Sequence, residues 1–151
     1  MKIPLLIFIS AIAFALSGCY SVSHRQFVIH NAESTDEKAV VNILATAANT
    51  AGLKDVTSKS SIPKTLAFYF GLSQPFQQNF TIRLASWINN EDIIIDLSVG
   101  YPGAKWSVPQ AYKKADSVLM DELPKYFDSM IVIDPESRVP FPNPEEKTAS
   151  Q

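Results

Sequence analysis

The sequence predicts an α+β domain, a two-layer sandwich in which an antiparallel sheet of three to five strands carries two helices on one face. Short segments with alternating apolar residues are typical of half-buried strands, and two longer segments show helical spacing with capping signals. A turn between two neighbouring strand segments lets them pair as a hairpin, and this pairing favours an antiparallel sheet.

The first strand and the first helix are predicted near the amino-terminal end of the domain. Residues 25–30 alternate loosely and contain Phe27, which predicts a strand. Ser34 and Glu37 then form a capping-box pattern, and Gly52 ends the helix. The apolar stripe between these signals consists of Val40, Ile43, Leu44, Ala47, Ala48 and Ala51.

Three strands are predicted in the middle of the chain. Residues 65–71 place Leu66, Phe68 and Phe70 on one face, and residues 80–85 and 93–99 show the same alternation. If Asn89 and Asn90 form a two-residue turn, the last two strands pair directly. The residue pairs expected across this hairpin are Phe80 with Val99, Ile82 with Leu97, Leu84 with Ile95 and Arg83 with Asp96.

A second helix and a short strand complete the predicted domain. Ser107 is the expected helix cap, Gln110 completes a capping-box pattern, and Pro124 is expected to kink or interrupt the helix. Residues 130–133 are predicted as a short strand. Residues 134–151 are rich in proline and charge, which indicates an extended and disordered tail.

The amino-terminal segment has the three parts of an export signal. Lys2 supplies the positive start, an apolar stretch runs from Ile3 to Leu16, and small residues precede Cys19, the single cysteine of the chain. The apolar stretch is shorter than the roughly 18 residues needed to cross a bilayer. We therefore expect a cleaved signal rather than a membrane span.

The run Leu16-Ser17-Gly18-Cys19 resembles the lipobox of bacterial lipoproteins. The resemblance implies a signal peptide at residues 1–18, cleavage between Gly18 and Cys19, a diacylglyceryl group on the Cys19 sulfur and an acyl chain on its amino group. Tyr20 stands where an aspartate favours inner-membrane retention, so in a Gram-negative source the resemblance implies an outer-membrane protein facing the periplasm. An ordinary secretory signal that ends beside a cysteine is the alternative.

The lipid anchor determines the expected domain organisation. Two or three acyl chains hold a protein on a bilayer essentially permanently, since each buried methylene contributes about 0.8 kcal/mol. Residues 19–23 are expected to form a short tether, of which the four residues after the anchor span at most roughly 14 Å, followed by a single domain at residues 24–133. The domain should therefore lie close to the membrane.

The charge balance excludes several kinds of partner. The chain has 13 basic and 15 acidic residues, and removal of Lys2 with the signal makes it slightly more acidic. Because no Lys/Arg cluster is present, neither nucleic acid nor an anionic lipid surface is expected as an electrostatic partner. The anchor would use Cys19, so no internal disulfide is expected.

The candidate catalytic and metal-binding patterns lack their structural context. Ser61 and Lys64 have the Ser-x-x-Lys spacing of penicillin-recognising enzymes, but that motif belongs at a helix start and here a proline leads into a strand. His24 and His30 would lie about 20 Å apart on an extended chain, too far to ligate one metal ion. We expect no enzymatic activity, no metal and no cofactor besides the lipid on Cys19.

Aromatic residues near strand ends are the candidate binding residues. Phe76, Tyr101 and Trp106 fall in predicted loops, and Trp87 lies near a strand end. Aromatic side chains are favoured as interface anchors, but aromatic burial dominates core energetics, which favours the alternative that each one caps an end of the core. The sequence thus predicts a non-enzymatic, lipid-anchored envelope protein that binds another envelope protein. The alternative is a ligand carrier or small enzyme with a pocket between helices and sheet.

Overall fold

The computed structural model describes residues 20–72, 80–102, 108–133 and 137–142. The elements in chain order are β1 (Tyr20–Ile29), α1 (Ser34–Ala51), β2 (Lys54–Asp55), β3 (Thr65–Leu72), β4 (Thr81–Asn89), β5 (Asp92–Pro102), α2 (Gln110–Tyr126) and β6 (Met130–Ile133). A short 3-10 helix, Thr57–Lys59, follows β2.

The strands of these described residues form one antiparallel sheet in the order β2-β3-β4-β5-β1-β6. The sheet has six strands rather than the predicted three to five. The additional edge strand β2 has two exposed residues, Lys54 and Asp55, and is too short to show the alternation that identifies a strand in a sequence. The antiparallel sheet with two helices is confirmed, and the predicted strand count is wrong.

The main core lies between the sheet and the two helices. Alternate residues of β4 and β5 face this core, including Ile82, Leu84, Ile95 and Leu97, as the sequence predicts. Both helices contribute to the same cluster, which places them on one face of the sheet. Their fully buried core residues are Val40, Leu44, Ala47, Ala48, Ala115, Leu119 and Leu123.

The first helix has the predicted bounds but a different cap. Its N-cap is Glu33, whose backbone N–H donates to the Asp36 side chain at 2.8 Å, so the predicted Ser34 and Glu37 box is displaced by one residue. Gly52 ends the helix in the left-handed conformation, with φ of 71°. Glycine is favoured there because it has no Cβ to clash with the preceding turn.

The β4–β5 hairpin turns one residue later than predicted. Asn89 pairs with Asp92, so Asn90 and Glu91 form the turn in place of the expected Asn89-Asn90. Asn90 has φ of 58°, a conformation that asparagine tolerates better than most residues.

The later turn shifts the cross-strand register by two residues. Ile82 lies opposite Val99, and Asp96 lies opposite Ala85 rather than Arg83. Every side chain nevertheless keeps its predicted face, because side chains along a strand alternate with a period of two residues. In this hairpin the predicted residue pairs are wrong, whereas the predicted faces are confirmed.

In β3 the prediction that Leu66, Phe68 and Phe70 share one face is wrong. The pairing shifts between Thr65 and Ala67, so Leu66 packs against the main core while Phe68 packs against the cluster on the opposite face.

The second helix continues through its proline. Pro124 lies inside α2, which extends to Tyr126. Pro124 lacks the N–H for one helical hydrogen bond, but the helix continues for two more residues, so the expected interruption is not found. The expected cap Ser107 lies outside the described residues, and the short strand at Met130–Ile133 is confirmed.

Both ends of the predicted domain differ from the expectation. β1 begins at Tyr20, so residues 20–23 belong to the sheet rather than to a tether, and they pair with residues 99–102 of β5. Residues 137–142 fall in the expected disordered tail, yet Val139 and Phe141 pack against the sheet.

Candidate interaction surface

Polar side chains cluster at the centre of the sheet face that the helices leave uncovered, which we call the open face. Strand alternation and pairing bring them together from the adjacent strands β4, β5 and β1. The members are His24 and Gln26 of β1, Arg83 of β4, and Asp96 and Ser98 of β5. A small apolar cluster of Val28, Ala85, Trp87 and Ile94 lies on the same face.

A buried carboxylate lies at the centre of this cluster. Asp96 has no exposed surface and Gln26 is 1% exposed. Asp96 Oδ1 accepts a hydrogen bond from Gln26 Nε2 at 3.4 Å, and Asp96 Oδ2 lies 3.7 Å from Arg83 Nη2. Burial raises the pKa of Asp96, while the positive charge of Arg83 acts in the opposite direction.

Residues 137–142, which we call the C-terminal strap, cross the open face and bind it through their backbone. The Val139 N–H donates to Gln26 Oε1 at 2.8 Å, and Gln26 Nε2 donates to the Val139 carbonyl oxygen at 3.0 Å. One glutamine side chain therefore makes the same exchange of two hydrogen bonds that a neighbouring strand residue makes in an antiparallel sheet.

Two strap side chains make the remaining contacts. Arg138 Nη1 lies 2.8 Å from His24 Nδ1. Because arginine stays protonated, it is the donor and the His24 nitrogen is the acceptor. The Phe141 ring lies 4.6 Å from the Trp87 ring, between centroids, and the Arg83 guanidinium carbon lies 3.8 Å from the Phe141 centroid. Burial, and then the charge of Arg138, lower the pKa of His24, which favours the neutral form that this hydrogen bond requires.

The strap leaves several polar atoms of the open face without a hydrogen-bond partner. Within the described part of the chain these buried atoms are Arg83 Nε, Trp87 Nε1 and Asp96 Oδ2. Buried donors and acceptors nearly always have partners in native structures, and an unpaired one costs about 1–3 kcal/mol. The face therefore offers two donors, Arg83 Nε and Trp87 Nε1, without acceptors in the described chain, while Asp96 Oδ2 has only its ion pair with Arg83.

Two of the four candidate binding aromatics are buried. Trp87 is 1% exposed and Tyr101 has no exposed surface, so the expected exposed anchors are not found at these positions. Tyr101 belongs to the main core, and Trp87 lies under the strap. Phe76 and Trp106, together with the lipidation and cleavage residues Gly18 and Cys19, lie outside the described residues.

The two edges of the sheet have different chemistry. β2 presents the charged residues Lys54 and Asp55, which discourage the addition of a further strand. β6 contains only apolar residues, and Ile131 and Val132 are about half exposed. The β6 edge is thus an exposed apolar surface, separate from the polar cluster of the open face.

A cavity of about 530 Å³ lies in the groove between the helices. It is lined by Ala39, Asn42, Ile43, Thr46, Glu122 and Tyr126, all of which belong to α1 or α2. The cavity is therefore not the pocket between helices and sheet that the carrier or enzyme alternative requires. Glu122 is already paired with Lys125 at 2.7 Å.

Metal-binding groups and membrane-spanning helices are both absent from residues 20–72, 80–102, 108–133 and 137–142. In these ranges no three His, Cys, Asp or Glu side chains are grouped so that they could hold a metal ion. Neither α1 nor α2 combines the length and apolar character that a bilayer-crossing helix needs.

Comparisons of the chain with protein-family models, with curated proteins and with solved structures return no match. Sequence reasoning did not single out Gln26, Asp96 or Arg138 as a binding group. The available signal was Asp96, a charged residue within the strongly apolar run of β5, where charged residues are rare.

Proposed function

We propose that this protein is a lipid-anchored component of the bacterial envelope that acts as a non-enzymatic interaction module close to the membrane surface. In a Gram-negative cell it would be attached to the outer membrane and face the periplasm, where it would bind another envelope protein. The lipobox-like run at residues 16–19 supports the anchor.

The start of β1 is the observation that carries this proposal. β1 begins at Tyr20, the residue that follows Cys19, and pairs from there with Pro102 of β5. One residue spans about 3.8 Å, so a lipid on Cys19 would attach to the sheet with no flexible tether. Leu72 and Thr81 pair at the same end of the sheet, which would therefore lie next to the bilayer.

The open face supports binding rather than catalysis. Its polar groups engage an extended chain segment through the Gln26 amide and through the arginine and aromatic contacts described above. These are the interactions of a recognition surface, in which backbone hydrogen bonds contribute affinity and side-chain pockets contribute specificity.

Lipidation is tested by the mass of the mature protein. We expect wild-type protein to carry the mass of a diacylglyceryl group and an acyl chain, and Cys19→Ala to accumulate as uncut precursor without lipid. Ser21→Ala is the matched control and should mature normally. Normal cleavage of Cys19→Ala between the same two residues would contradict the lipoprotein assignment.

The membrane-proximal role is tested by lengthening the connection. A photocrosslinking residue at half-exposed Val22 should form an adduct with an envelope protein in intact cells, whereas the same residue at exposed Asp121 on α2 should not. Ten Gly/Ser residues inserted after Tyr20 leave the residue after Cys19 unchanged but move the sheet away from the membrane. An adduct that survives the insertion at full yield would count against a membrane-proximal partner.

A further inference from the structure

We propose that the open face is a docking site for an extended peptide of a partner protein, and that the C-terminal strap is an intramolecular occupant which this peptide displaces. The inference rests on the proposed role as an interaction module. It does not depend on the lipid anchor, because the docking residues all lie within the described sheet and strap.

The central contact of the site is with the backbone of the bound segment, and the side-chain contacts lie on either side of it. Gln26 binds both the N–H and the carbonyl of Val139, and any extended residue other than proline can supply this pair of groups. The Gln26 side-chain amide is held in one orientation, because it is buried and also donates a hydrogen bond to Asp96. A fixed amide loses little freedom on binding, which favours association with an extended chain.

The strap shows which side chains fit on either side of that backbone contact. Arg138, directly before Val139, reaches His24, and Phe141, two residues after it, lies between Trp87 and Arg83. Val139 and Phe141 each precede a proline, which favours an extended backbone at both positions of the strap. The matching partner is therefore an extended peptide with a basic residue and an aromatic residue three positions later.

The strap fits the site incompletely, which allows exchange. Arg83 and Trp87 both contact Phe141 of the strap, yet the buried atoms Arg83 Nε and Trp87 Nε1 have no hydrogen-bond partner in the described chain. A peptide that supplies hydrogen-bond acceptors to Arg83 Nε and Trp87 Nε1 would bind this face better than the strap does. Since the strap is part of the same chain, it competes with a partner peptide at a high effective concentration. It therefore covers the open face until a better-fitting peptide displaces it.

The test uses the purified mature chain and a fluorescein-labelled hexapeptide with the sequence of residues 137–142, Ser-Arg-Val-Pro-Phe-Pro. In one variant the strap is loosened by Val139→Pro, which removes the N–H that Gln26 binds, together with Phe141→Ala. Fluorescence anisotropy measures peptide binding to this variant and to wild type. We expect the loosened variant to bind at least about tenfold more tightly, because its strap no longer competes.

Matched controls identify the site. A peptide carrying N-methylvaline at the position of Val139 keeps the side chain but lacks the N–H, and should bind the loosened variant about tenfold more weakly. Adding Gln26→Leu to the loosened variant should weaken binding of the normal peptide at least as much. Gln110→Leu at the exposed start of α2 should leave binding unchanged.

A second measurement covers the case in which the loosened variant does not fold. Hydrogen exchange of the Val139 amide in the wild-type chain should accelerate when an excess of the unlabelled peptide displaces the strap, while exchange of the core residue Ile95 stays constant. Unchanged exchange at Val139 would overturn the proposal. So would a folded, loosened variant that does not bind the peptide, or binding that is indifferent to Gln26→Leu. If the peptide-binding tests fail while lipidation is normal, the proposed anchored module stands and only the proposed docking site is rejected.

Discussion

Replacement of Phe141 by alanine tests whether the strap is a structural part of the fold. Phe141 is partly buried, and its ring contacts Trp87 and lies under the Arg83 guanidinium. Alanine removes both contacts and uncovers one side of Trp87, whose side chain is otherwise almost inaccessible to water.

The expected loss of stability is the sum of two specific contacts and partial apolar burial. An aromatic pair contributes about 0.5–1.5 kcal/mol and a cation–π contact near the surface about 0.5–1 kcal/mol. Removal of a fully buried phenylalanine costs about 3–5 kcal/mol, which sets the upper limit for this half-buried ring. We therefore expect Phe141→Ala to lower the free energy of unfolding by about 2 kcal/mol.

Urea unfolding followed by tryptophan fluorescence measures this effect. Both proteins carry Trp106→Phe, so that the emission reports on Trp87 alone. The Phe141→Ala protein should unfold at lower urea concentration, and its native emission should shift to longer wavelength because water reaches the indole. Ser137→Ala, at an exposed strap position, is the control and should change the free energy of unfolding by less than about 0.5 kcal/mol.

Two results together would refute this reasoning. If Phe141→Ala changed the free energy of unfolding no more than Ser137→Ala and the native emission of Trp87 did not move, the strap would not cover the open face in solution. A red shift without loss of global stability would instead mean that the strap detaches before the sheet unfolds.

Four further predictions follow from the same structure. Because the pKa of His24 is lowered in the folded protein, the unfolded chain binds more protons, and the free energy of unfolding should fall as the pH decreases from about 6.5. Urea unfolding at pH about 7.5 and about 5.5 measures this fall, which His24→Asn should make smaller. Burial raises the pKa of Tyr112 to about 12, so the neutral phenol stabilises the fold below pH about 10 and this stabilisation is lost as the pH rises further. Tyr112→Phe should therefore lose less folded structure at alkaline pH, as measured by circular dichroism. Gly52→Ala should cost about 1 kcal/mol in thermal unfolding because of the left-handed backbone, and Gly52→Asn should cost less. Ile131→Lys on the β6 edge should change the free energy of unfolding by less than about 0.5 kcal/mol but reduce self-association in light scattering.

The parts of the fold that were predictable are those where a strong local pattern and the core agree. β5 places Ile93, Ile95, Leu97 and Val99 on one face, and all four belong to the main core. The first helix was identified in the same way, because its stripe matches the helical period and Gly52 ends it. Here the same residues determine both the local conformation and the burial.

Other parts depend on contacts between residues that are distant in sequence. Gln26 and Val139 are 113 residues apart, and nothing in the proline-rich tail indicates that it binds a glutamine on the first strand. The hairpin register was missed for a different reason. Asn89 and Asn90 are both suitable turn residues, and a shift of two residues preserves every face, so the hydrophobic pattern cannot distinguish the two registers.

The first strand joins the proposed anchor to the proposed docking site. Tyr20 begins β1 and Gln26 lies six residues further along the same strand, which corresponds to about 20 Å of extended chain. If Cys19 carries the lipid, a peptide bound at Gln26 therefore lies within about 20 Å of the bilayer surface. A partner would have to present its peptide within this distance. A membrane-embedded protein with a short extended segment meets this requirement, and so does a second lipoprotein.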